Sequence, residues 1–424
     1  MSENVSLAPR SGALDLIMGV LSERRGLSDV IARAPENFRT LSAAERARAQ
    51  RLALETFRSR GRADHHLRHA LRKTPPEPVM WILRLALVEM HVLGAPAHGV
   101  IHDAVELTRH AGLPKLSGLV NAVLRHADKG LDWASAPVPR LPDWLRGALQ
   151  NAYGAKGTAA IEAAHQFAPP LDLTLKGACP EGLEGQRLPT GTLRLNAPGQ
   201  ITALPGYEEG AWWVQDAAAA LPAQLLHDMD GARILDICAA PGGKTLQLAA
   251  QGAHVTALDI SAHRMERLRE NLARTGLKAE IVVADALDWR PEHPFDAVLL
   301  DAPCSATGTI RRHPELPLIR AKEDVIALRA LQAALLDRVL DPATGLLQRG
   351  GRVVYCTCSL LPAEGEDQVA AALKRHKAKS LPADLPGLPE SWRLPDGAVR
   401  TRPDYWAEYG GLDGFYIAQL QQLA

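Results

Sequence analysis

The fold of the C-terminal half is decided by the stretch from Arg233 to Thr245, which reads RILDICAAPGGKT. Four of its first six residues are apolar, as is typical of a buried strand, and the small residues after them predict a tight turn into a helix. The same alternation recurs along the chain, with further strands predicted at 254–260, 280–284, 295–300, 352–358 and 415–420 and helices at 246–251, 263–275 and 325–340. This alternation predicts an α/β domain with a mostly parallel sheet covered by helices on both faces.

The preceding part of the chain has a different pattern. From residue 11 to 127 apolar residues recur at three- and four-residue spacing, and Ser42, three residues before Glu45, predicts a capping box at a helix start. Three prolines in 134–142 predict an extended linker.

The Pro-rich segment 379–410 is expected to be a long surface loop. The predicted domains are an all-α domain at 1–130, a small α+β subdomain at 143–210 and the α/β domain at 211–424.

The composition is that of an ordinary globular protein. Among 424 residues, Lys plus Arg and Asp plus Glu each number 48, and 46% of residues are hydrophobic, which excludes a disordered or fibrous chain. Five cysteines, an odd number, do not fit a disulfide framework. Asp15 interrupts the apolar N-terminal stretch, and no run reaches about 18 apolar residues. We therefore expect a reducing, cytoplasmic location without a membrane.

The zero net charge hides an asymmetry. Residues 1–130 hold 19 Lys and Arg against 13 Asp and Glu, a net of +6, and the rest of the chain carries −6. The excess is concentrated between Arg46 and Lys73, where reversing the charge of Arg58, Arg60 and Arg62 is expected to weaken the binding of a polyanion. Such a patch suits a polyanion, although a solvated Arg-rich helix face explains it equally well.

Small and acidic residues lie where three predicted strands end. The Gly242-Gly243 turn lets a ligand approach the backbone where open α/β sheets bind ligands. Asp259 ends the next strand, in position for ribose hydroxyls, and Asp285 ends the third, where it fits an adenine amino group. The turn matches neither the dinucleotide nor the P-loop pattern, so an adenosyl ligand without a pyrophosphate fits better. A plain tight turn, with Asp236 as a structural strand acid, remains an alternative.

Two further predicted strands end in cysteines that face the same cleft. Cys304 follows Asp301 after one strand, and Cys358 follows Cys356 on the next. Zinc is not expected, because these two cysteines of one strand are too close together and no histidine follows at ligand spacing. A thiol beside a cation such as Lys244 would have a depressed pKa and be nucleophilic near neutrality.

A nucleophilic thiol beside a methyl donor fits methylation of ring carbon 5 of a pyrimidine. Attack at carbon 6 makes carbon 5 a nucleophile, an acid near ring nitrogen 3 stabilises the adduct, and elimination releases the product. Asp301 is the candidate acid. Methylation of an exocyclic amine needs no thiol, and its Asn-Pro-Pro-Tyr-like loop is replaced here by DAPC at 301–304. These residues alone do not decide between Cys304 and Cys358 as nucleophile.

Four stretches resemble the motifs of RNA cytosine-5 methyltransferases of the RsmB/NOP/NSUN type: ILDICAAPGGKT (234–245), LLDAPCSATGTIRRHPE (299–315), VVYCTCSLLPAEGED (353–367) and DGFYIAQL (413–420). Near the N-terminus, GAPAHGVIHDAVELTRHAG (94–112) and SGLVNAVLRH (117–126) resemble a NusB domain, an all-helical RNA-binding fold. The likeness covers nearly the whole chain except the loop near 379–400. It implies a Rossmann-like methyltransferase domain behind a NusB-like domain, a combination that implies 16S ribosomal RNA as substrate.

The resemblance also implies residue roles. Cys358, in the Thr-Cys motif, matches the nucleophile, and Cys304, in the Pro-Cys motif, matches the residue that assists product release, whereas DNA cytosine methyltransferases use the Pro-Cys thiol. Lys244 and Asp301 complete the expected catalytic set. The implied cofactor is S-adenosylmethionine, and its expected contacts are Cys238, Ala239, Ala240, Pro241, Gly242, Gly243, Lys244, Asp259, Arg264, Asp285 and Asp301. Cys356 departs from the pattern by adding a second thiol, which would complicate labelling.

The target base must leave its stack to reach the cleft, so we expect unassembled or early-assembly 16S rRNA as the partner of a monomeric, metal-free enzyme. Arg311, Arg312 and His313, just after the Pro-Cys loop, are candidates to grip the RNA backbone, or they form a solvated turn. Two other functions remain open. One is the same chemistry on tRNA or another RNA, and the other is a non-catalytic RNA-binding factor of ribosome assembly.

Overall fold

A computed structural model describes residues 4–128, 130–196 and 199–423. Its chain divides into two compact units. One unit holds residues up to 147 together with 155–168 and 310–321, and the other holds 148–154, 169–309 and the remainder from 322. No helix in the described ranges is long and apolar enough to cross a membrane.

The N-terminal unit is helical, as predicted. Its helices are α1 (Asn4–Glu23), α2 (Leu27–Ala32), α3 (Glu36–Arg39), α4 (Ala43–Ala70), α5 (Glu77–His91), α6 (Ala97–His110) and α7 (Ser117–Asp128), followed by α8 (Asp143–Ala164), which is kinked at Gly154. The predicted capping box opens α4, because Ser42 Oγ accepts from the Glu45 amide and the Glu45 carboxylate accepts from the Ser42 amide. Buried Arg10 joins three helices by donating to Glu89 at 2.7 Å and Asp103 at 2.6 Å.

The second unit contains two sheets. The smaller is antiparallel, in the order β2 (Gln186–Arg187), β3 (Leu193–Leu195), β1 (Leu171–Leu175), β4 (Trp212–Val214). The larger runs in the order β10 (Ala378–Leu381), β12 (Tyr416–Gln422), β9 (Leu347–Thr357), β8 (Phe295–Asp301), β5 (Arg233–Ile237), β6 (His254–Asp259), β7 (Glu280–Val283), with β11 (Val399–Arg400) paired to β12. Its helices are α9 (Ala217–Gln224), α10 (Gly243–Ala250), α11 (Ala262–Thr275), α13 (Lys322–Leu340) and α14 (Glu366–Arg375), and α12 (Leu316–Ile319) belongs to the N-terminal unit.

The larger sheet confirms the predicted α/β class. Strands β9, β8, β5, β6 and β7 are mutually parallel, and β12 runs antiparallel to β9. Strands β10 and β11 each pair antiparallel with β12 and so run in the direction of the parallel strands. Apolar side chains cover both faces, since one cluster holds Leu299 and Val354 while another holds Leu300 and Tyr355 from the alternate positions. Parallel pairing brings the carboxyl ends of β5, β6, β8 and β9 to one edge of the sheet.

The prediction of a surface loop at 379–410 is wrong. The segment contains the last residues of β10 and all of β11. It also buries Leu385, Trp392 and Val399 against the sheet. The ring of Trp392 stacks on Tyr405 with centroids 5.0 Å apart and lies 4.7 Å from that of Trp406. Aromatic burial therefore fixes a segment whose prolines and glycines had indicated a loop.

Candidate active site

The turn after β5 is built around a glycine that cannot be replaced without movement. Gly242 has a φ of 106°, and a Cβ at this position would lie 2.3 Å from Cδ1 of Leu268 on α11. Glycine is the residue that adopts such a conformation without strain. The turn therefore lies close against α11 at the edge of the sheet.

Asp259 at the end of β6 holds this turn in place. Its carboxylate accepts from the Ala240 amide at 3.1 Å and from the Ser261 amide at 2.8 Å, and Arg264 donates to the Ala240 carbonyl. Asp285 is exposed at the third strand end and accepts from the Leu287 amide at 2.9 Å. The structure thus brings the predicted turn, Asp259 and Arg264 together, with Asp285 at the adjoining strand end.

Asp236 is fully buried within β5. One carboxylate oxygen accepts from Thr245 Oγ1 at 2.6 Å, whereas Oδ1 has no hydrogen-bond partner among the described residues. Burial raises the pKa of Asp236 to about 7, even though the Thr245 hydrogen bond acts in the opposite direction.

Asp301 and Lys244 form an ion pair at the end of β8. Lys244 Nζ lies 2.7 Å from Asp301 Oδ2 and 5.3 Å from the ring centre of Phe415. Burial acts against the ammonium, but Asp301, Cys356 and Asp236 together outweigh it and raise the pKa of Lys244 above its ordinary value. The other oxygen of Asp301 accepts from Cys356 Sγ at 3.4 Å. Cys356 is fully buried, so it is not accessible to the labelling reagents whose use it was expected to complicate.

The two predicted catalytic thiols meet at the ends of β8 and β9. Cys304 Sγ and Cys358 Sγ are 3.4 Å apart and both are free thiols. The hydrogen bond with Cys358, and then burial, raise the pKa of Cys304 well above its ordinary value. A depressed pKa had been expected beside Lys244. It is wrong for Cys304 and Cys356, because the Lys244 charge is compensated by Asp301 and burial raises the pKa of Cys356 too.

A buried carboxylate that the sequence did not single out joins the two cysteine segments. Glu364 is fully buried, and its Oε1 accepts from the Ser305 amide at 2.9 Å while its Oε2 accepts from Ser359 Oγ at 2.6 Å. Gln332 on α13 adds hydrogen bonds to Glu364 Oε1 at 3.0 Å and to the Pro303 carbonyl at 2.8 Å. Ser305 follows Cys304 and Ser359 follows Cys358, so one side chain sets the positions of both thiols.

The Pro-Cys loop also packs against the start of β12. The Gly308 amide donates to the Cys358 carbonyl at 2.9 Å, and the Gly414 amide donates to the Gly308 carbonyl at 2.9 Å. A Cβ on Gly308 would lie 1.9 Å from the Gly414 carbonyl oxygen. The backbones therefore approach too closely for any side chain at this point.

In the N-terminal unit, two arginines that were candidates for gripping RNA are structural. Arg58 is 8% exposed and donates to the carbonyls of Arg311 at 2.6 Å and Phe167 at 3.3 Å, and Arg311 is 2% exposed. Because Arg58 and Arg311 are buried, they belong neither to a surface that grips RNA nor to a solvated helix face. His313 is half-exposed and lies 3.7 Å from Glu315.

A parallel sheet with a glycine turn and carboxylates at its strand ends fits the class of S-adenosylmethionine-dependent methyltransferases. Residues 223–421 match the family model described as 16S rRNA methyltransferase RsmB/F, and residues 7–129 match the NusB family. The chain is 36% identical to ribosomal RNA small subunit methyltransferase B of Pseudomonas syringae pv. tomato, over 98% of this chain and 97% of that protein. It is also 36% identical to the protein of that name from Serratia proteamaculans, over 89% and 92% of the two chains. The chain therefore belongs to the RsmB/F family of 16S rRNA methyltransferases.

A solved structure supports the same class. The methyltransferase homolog protein from Pyrococcus horikoshii is 26% identical, with a TM-score of 0.56, over 66% of this chain and 95% of that one. The cofactor of this class is S-adenosylmethionine, and the residues here fit it. Pro241 is exposed in the turn, each Asp259 oxygen keeps a lone pair for a ribose hydroxyl, and Asp285 is exposed at the next strand end.

Proposed function

We propose that this protein methylates carbon 5 of a cytosine in 16S rRNA through a transient covalent bond between Cys358 Sγ and carbon 6 of the base. The observation that carries the proposal is the pair of free thiols, 3.4 Å apart, at the ends of two adjacent parallel strands. A thiol pair is not needed to methylate an exocyclic amine. In this proposal residues 211–424 perform the chemistry, 143–210 form an auxiliary subdomain and 1–130 contact RNA.

The division of roles between the two thiols follows from the motifs that hold them. Thr357-Cys358 resembles the Thr-Cys motif, so we assign the attack on carbon 6 to Cys358. The hydrogen bond with Cys358, and then burial, raise the pKa of Cys304 well above its ordinary value, which favours the protonated form of Cys304.

Lys244 and Asp301 act on the base as a pair. Their 2.7 Å contact holds the Asp301 carboxyl group, whose side chain is 30% exposed, at the strand end beside the thiols. A proton shared by this pair would stabilise the negative charge that develops towards ring nitrogen 3 when sulfur adds to carbon 6. Buried Cys356, hydrogen-bonded to Asp301, is a positioning residue in this arrangement.

The bonds of the reaction balance in two stages. Addition forms the bond between sulfur and carbon 6 and makes carbon 5 nucleophilic. S-adenosylmethionine, when bound, would supply the methyl group for carbon 5 by cleavage of its sulfonium S–CH3 bond, with S-adenosylhomocysteine as the leaving group. Release requires loss of the proton from carbon 5 and cleavage of the sulfur–carbon bond. Cys304 lies beside the departing sulfur, and we assign assistance of release to it.

A stacked, paired cytosine is not accessible to thiols at a strand end, so the base must be extruded. Extrusion costs least in unassembled or early-assembly 16S rRNA, which we propose as the substrate of a monomeric, metal-free enzyme in the cytoplasm.

The test is a denaturing gel for covalent protein–RNA adducts, formed with S-adenosylmethionine and unmodified 16S rRNA. Cys304→Ala should accumulate the adduct because release is blocked, whereas Cys358→Ala should form none. Cys179→Ala, which removes an exposed thiol, is the matched control and should behave as wild type. The opposite pattern for Cys304 and Cys358 would refute the role assignment, and an adduct with tRNA but not with 16S rRNA would refute the substrate.

A further inference from the structure

A cleft in the N-terminal unit has no role in the chemistry described so far. Its volume is about 740 Å³, within the range of roughly 300–1,000 Å³ that is usual for ligand sites. The walls are the C-terminal half of α4, residues 137–142, the end of α8 and residues 310–318, all of which belong to the N-terminal unit. The last wall follows directly in sequence from the Pro-Cys loop.

The lining of the cleft carries an excess of positive charge, with four arginines against two acids. Arg60, Arg68 and Arg140 line it, and none of them has a hydrogen bond or ion pair with any residue in the described ranges. The two acids in the lining are already engaged, since Asp64 accepts from Arg84 at 2.7 Å and Glu162 from Arg146 at 3.0 Å. Burial lowers the pKa of Arg60, so this guanidinium has lost part of its hydration without gaining an anionic partner in contact.

A buried imidazole adds a different kind of binding group. His165 is 6% exposed and lines the cleft, and neither of its ring nitrogens has a hydrogen-bond partner among the described residues. Burial, with the nearby charges of Arg311 and Arg58, lowers its pKa to about 3, so the ring is neutral. A neutral imidazole has one donor and one acceptor, which complements the edge of a nucleobase rather than a phosphate.

We propose that this cleft binds one nucleotide of the ribosomal RNA, with phosphate groups at Arg60, Arg68 and Arg140 and the base beside His165. Pro139 and Pro317 supply apolar walls for the base. The proposal rests on RNA being the substrate, and it adds an RNA contact that takes no part in bond formation. The basic rim alone would suit an acidic protein segment equally well, but the unpartnered imidazole favours a base.

The first experiment separates RNA binding from catalysis. The variant Arg60→Gln/Arg140→Gln removes two cations that have no ion-pair partner in the described ranges, and Arg51→Gln, which removes an exposed arginine of α4 outside the cleft, is the matched control. We expect the double variant to raise KM for 16S rRNA about tenfold or more with kcat unchanged. Because each lost phosphate contact reduces the salt slope of binding by roughly 0.7, the slope should fall by about 1.4. A KM and slope equal to those of Arg51→Gln would overturn the proposal.

Arg140 lies exposed in the linker, so Arg140→Gln alone keeps the test valid if Arg60→Gln impairs folding. Equilibrium binding of full-length protein to 16S rRNA is measured in parallel. If the gel assay detects no covalent adduct through Cys358 while binding to 16S rRNA still depends on the cleft arginines, the proposed function is refuted and the cleft assignment stays in place.

A second experiment tests the base. Single-stranded oligoribonucleotides, natural or abasic at every position, compete with labelled 16S rRNA for the full chain. We expect the abasic probe to compete at least fivefold more weakly against wild type, and His165→Ala to abolish that difference. Equal competition by the two probes, or by polyaspartate, would overturn a nucleotide site in favour of a general anion site.

Discussion

Replacing Asp236 by asparagine should stabilise the central strands of the sheet, and only above pH 4. The carboxyl group is fully buried, and Oδ1 has no partner among the described residues. Its pKa of about 7 means that the folded protein holds this proton more tightly than the unfolded chain, whose aspartate has a pKa near ~3.9. Thr245 can still donate to the asparagine carbonyl oxygen, so the main hydrogen bond survives.

The magnitude follows from this difference of about three pKa units, which corresponds to roughly 4 kcal/mol. Below pH 4 both states carry the proton, and the two proteins should be equally stable at this position. As the pH rises from about 4 to 7, the unfolded wild-type chain ionises first and wild type loses stability. Above pH 7 the full cost is present, while the neutral asparagine never incurs it.

The assay is hydrogen exchange of the β5 amides at 234–237, comparing variant with wild type at each pH so that intrinsic exchange cancels. At pH 8 the variant should exchange up to about a thousandfold more slowly, falling to no difference near pH 4. Asp230→Asn, which removes an exposed carboxylate just before β5, is the matched control for the loss of a negative charge. A ratio that is independent of pH, or one that grows as the pH falls, would refute the raised pKa.

Two further substitutions test features of the second unit. Glu364→Gln should lower kcat about a hundredfold with little change in KM for S-adenosylmethionine, because it misplaces both thiols but leaves the 238–243 turn intact. Asp367→Asn, which removes an exposed carboxylate, is the control. A raised KM for S-adenosylmethionine with normal kcat would contradict the role of Glu364. Arg194→Met should cost roughly 3–5 kcal/mol of unfolding free energy. The guanidinium of Arg194 lies 2.6 Å from the carboxylate of Asp172, and the substitution leaves that buried carboxylate without its charged partner. Adding Asp172→Asn should recover part of that loss, and urea denaturation showing no recovery would point instead to lost packing.

The sequence predicted most accurately those elements whose residues all have the same environment. Strands β8 and β9 are buried on both faces, so their apolar runs end close to the predicted residues, at Asp301 and Thr357. Parallel strands place such ends at one edge, which is why Cys304 and Cys358 could be expected to meet.

The residues that sequence reasoning missed are those with unusual environments for their type. Arg58 and Arg311 were interpreted as surface residues because arginine is rarely buried, yet Arg58 is held by main-chain carbonyls, one of them that of Arg311. Glu364 lies in a polar stretch, and no local pattern distinguishes a buried acid from a solvated one. Its partners, Ser305 and Gln332, come from separate segments that only the folded chain brings together.

The packing of Gly414 on Gly308 has a consequence for the order of events during synthesis. The backbone of the Pro-Cys loop is held from one side by residues at the start of β12, and β12 lies between β9 and β10 in the sheet. The ribosome makes β12 after all the other strands described here, so a nascent chain lacks this support for its catalytic loop. The Pro-Cys loop therefore gains this support only after the ribosome has translated the codons for the last strand.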